Sequence, residues 1–244
     1  MHIKSIRLLH DRYPTCDFYP FNLEILQKTT AIELASPITF FIGENGAGKS
    51  TLLKAIANKS YIHIWDAPPV RRIKPNPYEQ LLHQAINISW TDGRVPGSYF
   101  GSQIFNRFTY LLEEWAAADP GLIDYFGGHS LMTLSHGQSL VAFFKTRYKI
   151  KGLYLLDEPE TALSPRSQLD LVRVLKDAAA LEQAQFIIAT HSPILLATPG
   201  AEIWSFDAAP IRPIPYRETD YYNFYRDFMN NMDCYLSPSE LDPR

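Results

Sequence analysis

Gly43-Glu44-Asn45-Gly46-Ala47-Gly48-Lys49-Ser50 follows the apolar run Ile38-Thr39-Phe40-Phe41-Ile42 and precedes Thr51-Leu52-Leu53-Lys54-Ala55-Ile56. A glycine, four residues and then Gly-Lys-Ser, set between a predicted strand and a predicted helix, is the pattern and context of a phosphate-cradling loop. Each residue type has a physical reason to be there. Glycine lets the backbone take positive φ, so that successive N–H groups from Glu44 to Thr51 converge on an anion at a helix N-terminus, where the helix dipole also favours negative charge. Lys49 supplies a mobile cation for the β and γ phosphates, and the Ser50 hydroxyl is a ligand for Mg²⁺. The stretch therefore predicts nucleotide binding.

The surrounding chain supports a folded α/β domain around that loop. With 244 residues, 46% apolar and 20% charged, the sequence is long and apolar enough for one large buried core. No apolar run approaches the roughly 18 residues of a membrane span. The opening Met1-His2-Ile3-Lys4-Ser5-Ile6 reads as a strand rather than a targeting segment, so a soluble, cytoplasmic protein is expected. Cys16 and Cys234 lie far apart and are assigned no role. The 23 Lys and Arg against 26 Asp and Glu give a net charge of −3, which excludes a protein that grips nucleic acid over its whole surface. Any DNA contact should be local and salt-sensitive, with Arg71, Arg72 and Lys74 as the basic cluster that would make it.

Upstream of the loop, Ile3–Leu9 and Ala31–Leu34 read as strands. Between them His10-Asp11-Arg12-Tyr13-Pro14 is a turn, in which Arg12 or Tyr13 offers a face for adenine and which reads equally well as an ordinary surface turn. Residues 62–128 read as a mainly helical insertion, with helices over Glu79–Ile86 and around Phe105–Ala118. Leu134-Ser135-His136-Gly137-Gln138 carries a capping-box pattern, Ser135 with Gln138 three residues on, and predicts the start of a helix. Gly152–Leu156 is a buried-strand run ending in Asp157-Glu158-Pro159-Glu160. A carboxylate at such a strand end, beside a phosphate loop, lies where Mg²⁺ binds, which suits Asp157; Glu158 can orient and deprotonate water on the γ-phosphate side.

Thr161-Ala162-Leu163-Ser164-Pro165 then leads into a helix over about Arg166–Leu181, with Pro165 in its first turn. Gln185–Ala189 is a second buried strand, and Thr190-His191-Ser192-Pro193 brings His191 out on the same edge. Glu202–Phe206 and Ile211–Ile214 suggest a closing hairpin. The aromatic tail from Thr219 to Leu236 suggests a helix packed on the core rather than a nucleic-acid stacking platform.

As an ordered set, Gly43–Ser50, Leu134–Gln138, Leu153–Glu158, Thr161–Pro165 and His191 resemble the Walker A, signature, Walker B, D-loop and switch-histidine motifs of ATP-binding cassette (ABC) ATPases. The forms Thr-His-Ser-Pro and Ala-Leu-Ser-Pro look more like soluble bacterial stand-alone ATPases, related to RecF-like and SMC-like heads, than like transporter subunits. The resemblance implies a P-loop NTPase of ABC-ATPase type, a mixed sheet flanked by helices in a single domain over residues 1–244. It also implies Mg²⁺-dependent hydrolysis of ATP with Glu158 and His191 as catalytic residues. Ser50, Asp157 and a glutamine would serve the metal; Gln103 is the first candidate for that glutamine and Gln84 the second. In a head-to-tail, ATP-dependent homodimer, Ser135, Gly137 and Gln138 of one copy would complete the site on Lys49 of the other. Two positions depart from the transporter pattern: His136 stands where glycine is usual, and Ser164 where aspartate is usual. The alternative reading is a nucleotide-gated binding module acting on DNA or a protein partner, in DNA maintenance or defence, and a third is the ATP-binding subunit of a transporter.

Overall fold

The computed structural model describes residues 1–66, 75–106, 114 and 136–236. In chain order the regular elements are β1 (Ile3–Leu8), α1 (Glu24–Lys28), β2 (Ala31–Glu33), β3 (Ile38–Ile42), α2 (Lys49–Ser60), β4 (His63–Trp65), β5 (Ile86–Trp90), β6 (Gly97–Phe100) and α3 (Ser102–Asn106). They continue with α4 (His136–Arg147), β7 (Gly152–Asp157), α5 (Pro165–Ala180), β8 (Ala184–Ala189), α6 (Pro193–Leu196), β9 (Glu202–Ser205), β10 (Arg212–Pro213), α7 (Asp220–Asn230) and α8 (Met232–Leu236).

Two sheets result. β2, β1 and β5 pair antiparallel, and a larger sheet runs in the order β10-β9-β3-β8-β7-β6-β4. Its strands are parallel except for the β9–β10 hairpin at one edge. The central strands are apolar on both faces because both faces are covered. Phe41, Leu153 and Leu155 face a core shared with α2 and the antiparallel sheet. Phe40, Ile42, Tyr154 and Leu156 face the opposite core with Phe143, Phe144, Leu171 and Leu175 of α4 and α5. Helix α5 shows the same logic in three dimensions: Leu171, Val174, Leu175 and Ala178 recur at helical spacing and are buried. Its start is capped by Ser164, whose Oγ accepts from the Ser167 N–H, a contact of the kind that typically contributes about 1 kcal/mol.

Three expectations are corrected. The interval 62–128 is not a mainly helical insertion over its described part, because β4 and β6 are integral strands of the parallel sheet and β5 pairs with β1. The expected helix over Glu79–Ile86 shrinks to a one-turn 3₁₀ helix at Leu81–Ala85 that feeds β5. The aromatic tail is helical and packs on the core only through its start: Tyr221 lies half-buried against the core, none of the residues of α7 is fully buried, and Phe224 and Met229 are 56% and 66% exposed. Among the described residues, no helix is long and apolar enough to cross a membrane.

Strand register sets the site. Phe41 of β3 and Asp157 of β7 both lie level with Ala189 of β8. Gly43, Glu158 and His191 therefore leave the same carboxyl edge within two residues of one row, the place where open α/β sheets bind ligands.

Candidate nucleotide and catalytic site

Gly43 and Gly48 carry φ of 142° and 99°. A Cβ on Gly43 would stand 2.9 Å from the Cβ of Phe206 and 3.2 Å from its backbone carbon, so both conformation and space require glycine there, whereas at Gly48 it is the backbone conformation that does. The loop is pinned on its far side by Asp207, whose Oδ1 accepts from the Glu44 N–H at 3.1 Å. Helix α2 then begins at Lys49, and the Leu52 N–H donates to the Gly48 carbonyl at 2.9 Å. The amides of Lys49, Ser50 and Thr51 precede that first rung and have no partner within the helix, an arrangement suited to an anion. Lys49 is 4% exposed and donates from Nζ to the carbonyls of Gly43, at 2.5 Å, and Glu44, at 2.9 Å. Burial pulls its pKa down, while Glu158 and Asp157 act in the opposite sense.

Asp157 closes the other side of this cradle. Its Oδ1 accepts from Ser50 Oγ at 2.9 Å, and its Oδ2 accepts from the Tyr99 hydroxyl at 3.0 Å. Burial raises the carboxyl's pKa, and these two hydrogen bonds oppose the rise. Ser50 and Asp157 are hard oxygen donors already in contact across the loop. Together they suit Mg²⁺, which is typically held by one or two carboxylates together with substrate phosphates and water rather than by a full protein cage. No group of three or more His, Cys, Asp or Glu side chains that could hold a metal ion occurs among the described residues. Gln103 is exposed on α3, just past the end of β6, the neighbour of β7. Gln84 sits instead in the one-turn helix before β5.

Glu158 adopts φ 52° and ψ 54°, a left-handed conformation that costs a non-glycine residue about 1–3 kcal/mol and persists only where surroundings enforce it. Here the Glu158 N–H donates to the Ala189 carbonyl at 2.9 Å, and its own carbonyl accepts from Thr161 Oγ1 at 2.9 Å. The result places Oε1 3.4 Å from Nε2 of His191. His191 is held from two further directions. Its backbone N–H donates to Glu160 Oε1 at 2.6 Å, and its Nδ1 lies 2.6 Å from the Tyr221 hydroxyl. Burial and the Lys49 charge lower the pKa of His191, and Glu158 works against that shift. Burial raises the pKa of Glu160.

Ser164, where the transporter pattern has aspartate, is the N-cap of α5. Gln168 of that helix links the 161–165 and 190–193 segments: its Nε2 donates to the Leu163 carbonyl at 3.0 Å, and its Oε1 accepts from Ser192 Oγ at 2.5 Å. Gly137 and Gln138 lie in the first turn of α4, and a Cβ on Gly137 would stand 3.1 Å from Ser167 Oγ. Ser135, the basic cluster Arg71, Arg72 and Lys74, and the helix expected beyond Asn106 lie outside the described residues, apart from Glu114 within that helix.

Of the two adenine candidates, Tyr13 is committed elsewhere: its hydroxyl donates to the Leu26 carbonyl at 3.0 Å and its ring packs on Phe21. Arg12 is exposed. Sequence reading passed over Tyr19, whose hydroxyl bonds the Thr51 hydroxyl at the start of α2. It also passed over Glu160, Asp207 and Tyr221. Glu160 was visible as a third acid after β7, whereas Asp207 and Tyr221 lie more than 160 residues from the loop they touch and carry no local signal.

Residues 135–197 match the family described as "AAA domain, putative AbiEii toxin, Type IV TA system", and residues 17–61 match "AAA domain". The chain is similar to the thiamine import ATP-binding protein ThiQ of Haemophilus influenzae, 30% identical over 162 residues that cover 62% of this chain and 74% of that protein. It is also similar to the aliphatic sulfonates import ATP-binding protein SsuB of Mycobacterium avium, 29% identical over 173 residues that cover 70% of this chain. It spans 66% of that relative, just under two thirds of its length. Among solved structures, the SMC head domain from Thermotoga maritima aligns with 88% of this chain and 100% of its own, at a TM-score of 0.49 and 17% identity.

Proposed function

This chain belongs to the ABC-type P-loop ATPases, and on that premise we propose that it binds ATP with Mg²⁺ and hydrolyses it in a head-to-tail pair of copies. The observation that carries the reading is the row formed by Gly43, Glu158 and His191 on one sheet edge, with Ser50 bonded to Asp157 beneath it. The loop amides and Lys49 hold the triphosphate. Ser50 and Asp157 would hold Mg²⁺, with Gln103 as an added ligand, and the ion when bound supplies charge neutralisation at the phosphates. Glu158 orients a water molecule and accepts its proton as the water oxygen attacks the γ-phosphorus and the ADP oxygen leaves. His191 reaches the γ-phosphate side from the next strand.

A single phosphate loop leaves one side of the triphosphate open to water. A second helix N-terminus, that of α4 in another copy with Ser135, Gly137 and Gln138, completes the charge compensation. The pair should therefore form on ATP and part after hydrolysis, and through that cycle act on DNA or a protein partner. Light scattering tests it: Glu158→Gln with ATP and Mg²⁺ should run at twice the chain mass of 27.9 kDa, and nucleotide-free protein at that mass. A mass that ignores ATP sinks the dimer cycle. The names of the two relatives favour a second reading, an ATP-binding subunit of an importer. Co-purification with a membrane permease would select it.

A further inference from the structure

We propose that Tyr221, in the first turn of α7, is a positioning residue that fixes the tautomer and ring orientation of His191. The inference deepens the reading of His191 given above and rests on it for its catalytic consequence. Three distances define the arrangement. The Tyr221 oxygen is 3.1 Å from the Gly43 carbonyl oxygen and 2.6 Å from His191 Nδ1, and His191 Nε2 is 3.4 Å from Glu158 Oε1. A phenol has one proton to give. The Gly43 carbonyl can only accept, so the Tyr221 proton goes there; pointed at Nδ1 instead, it would leave two bare oxygens facing each other at 3.1 Å. Nδ1 must then carry a proton and donate it to the Tyr221 oxygen. Which imidazole nitrogen is protonated is set by the hydrogen bond the other makes, so Nε2 is left as an acceptor; it has no hydrogen-bond partner, and its 3.4 Å separation from Glu158 Oε1 is longer than the 3.1 Å that would separate the two bare oxygens in the other arrangement.

The surroundings keep each group in the required state. Burial pushes the Tyr221 pKa up to about 12, so its hydroxyl is intact near neutral pH. Burial and Lys49 hold His191 below its ordinary value, so the neutral ring dominates there. Thr219 secures the tyrosine by capping α7: its Oγ1 accepts from the Tyr222 N–H at 3.2 Å. The site thus sets two acceptors side by side, Glu158 Oε1 and the buried His191 Nε2, and α7 is tied to the catalytic row through one hydroxyl. Because Gly43 also accepts from Lys49, the Tyr221 bond leaves the loop carbonyl partnered when Lys49 turns to a phosphate.

Histidine ¹⁵N–¹H spectra of the nucleotide-free protein near pH 7.5, assigned through His191→Ala, give a readout independent of hydrolysis. Wild type should show His191 with its proton on Nδ1, and Tyr221→Phe should shift the signal toward the Nε2–H form. A wild-type His191 protonated on Nε2 alone overturns the proposal. For catalysis, Tyr221→Phe should lower kcat roughly 2- to 10-fold, the loss of one ordinary hydrogen bond, with KM for ATP unchanged. In the His191→Ala background the same substitution should cost nothing further. An equal added loss there would mean that Tyr221 acts on the fold at large and not through His191. Absence of turnover in wild type would count against the ATPase reading, while the spectra would still decide the tautomer.

Discussion

Glu158→Gln is expected to bind ATP with unchanged affinity and to hydrolyse it roughly 10²- to 10⁴-fold more slowly, the usual contribution of a positioned general base. The substitution keeps the size of the side chain, and glutamine meets the same backbone demand at φ 52°. It also keeps the backbone bonds to Ala189 and Thr161 that hold the turn. What it removes is the oxygen able to take a proton from water, 3.4 Å from His191 Nε2. Phosphate release over a single turnover, set beside an equilibrium titration of ATP, separates the two effects. A turnover rate equal to that of wild type would place the base elsewhere.

Lys49→Ala should remove tight binding of ATP. Its ammonium is buried against the loop's own carbonyls, within the loop whose cation for the β and γ phosphates it would be. Truncating one partner of a buried, hydrogen-bonded charge pair costs about 2–5 kcal/mol, roughly 30- to 5,000-fold in affinity. Calorimetry reads the loss directly. Thermal melting reads it by linkage, because ATP at a hundred times its Kd should stabilise wild type by about 2.7 kcal/mol and leave the variant unmoved. Undiminished affinity would refute the assignment of the phosphate loop.

Much of this site is local in sequence. The loop, the Asp157-Glu158 pair and His191 each sit at the end of a continuous apolar run, and such runs must be buried parallel strands whose carboxyl ends share an edge. Spacing alone therefore placed them together. The misreadings have equally physical causes. β4 and β6 are three and four residues long, too short for a two-residue period to stand out beside prolines and glycines. The tail from Thr219 has the pattern of an amphipathic helix, and a pattern cannot say whether the apolar side meets a core or solvent; for Phe224 and Met229 it meets solvent. Tyr221 and Asp207 reach the loop only because the β9–β10 hairpin and α7 fold back onto it. Contacts of that sequence separation leave no mark on either partner's neighbours. Ser164 shows the reverse case: it departs from the transporter pattern, and within the chain it has an ordinary use as the cap of α5.

The central claim is that one catalytic site is assembled from two copies, and mixing two inactive variants tests it most directly. Lys49→Ala lacks the cation of the phosphate loop, and Ser135→Arg blocks the helix start offered to the neighbouring copy. Each alone should show little ATP turnover. In an equimolar mixture the mixed pair contains one site with both intact elements, so turnover should return to roughly a quarter of the wild-type rate per chain, half of the pairs being mixed and each having one working site of two. If the mixture stays as inactive as its components, each site lies within a single chain and the account is contradicted.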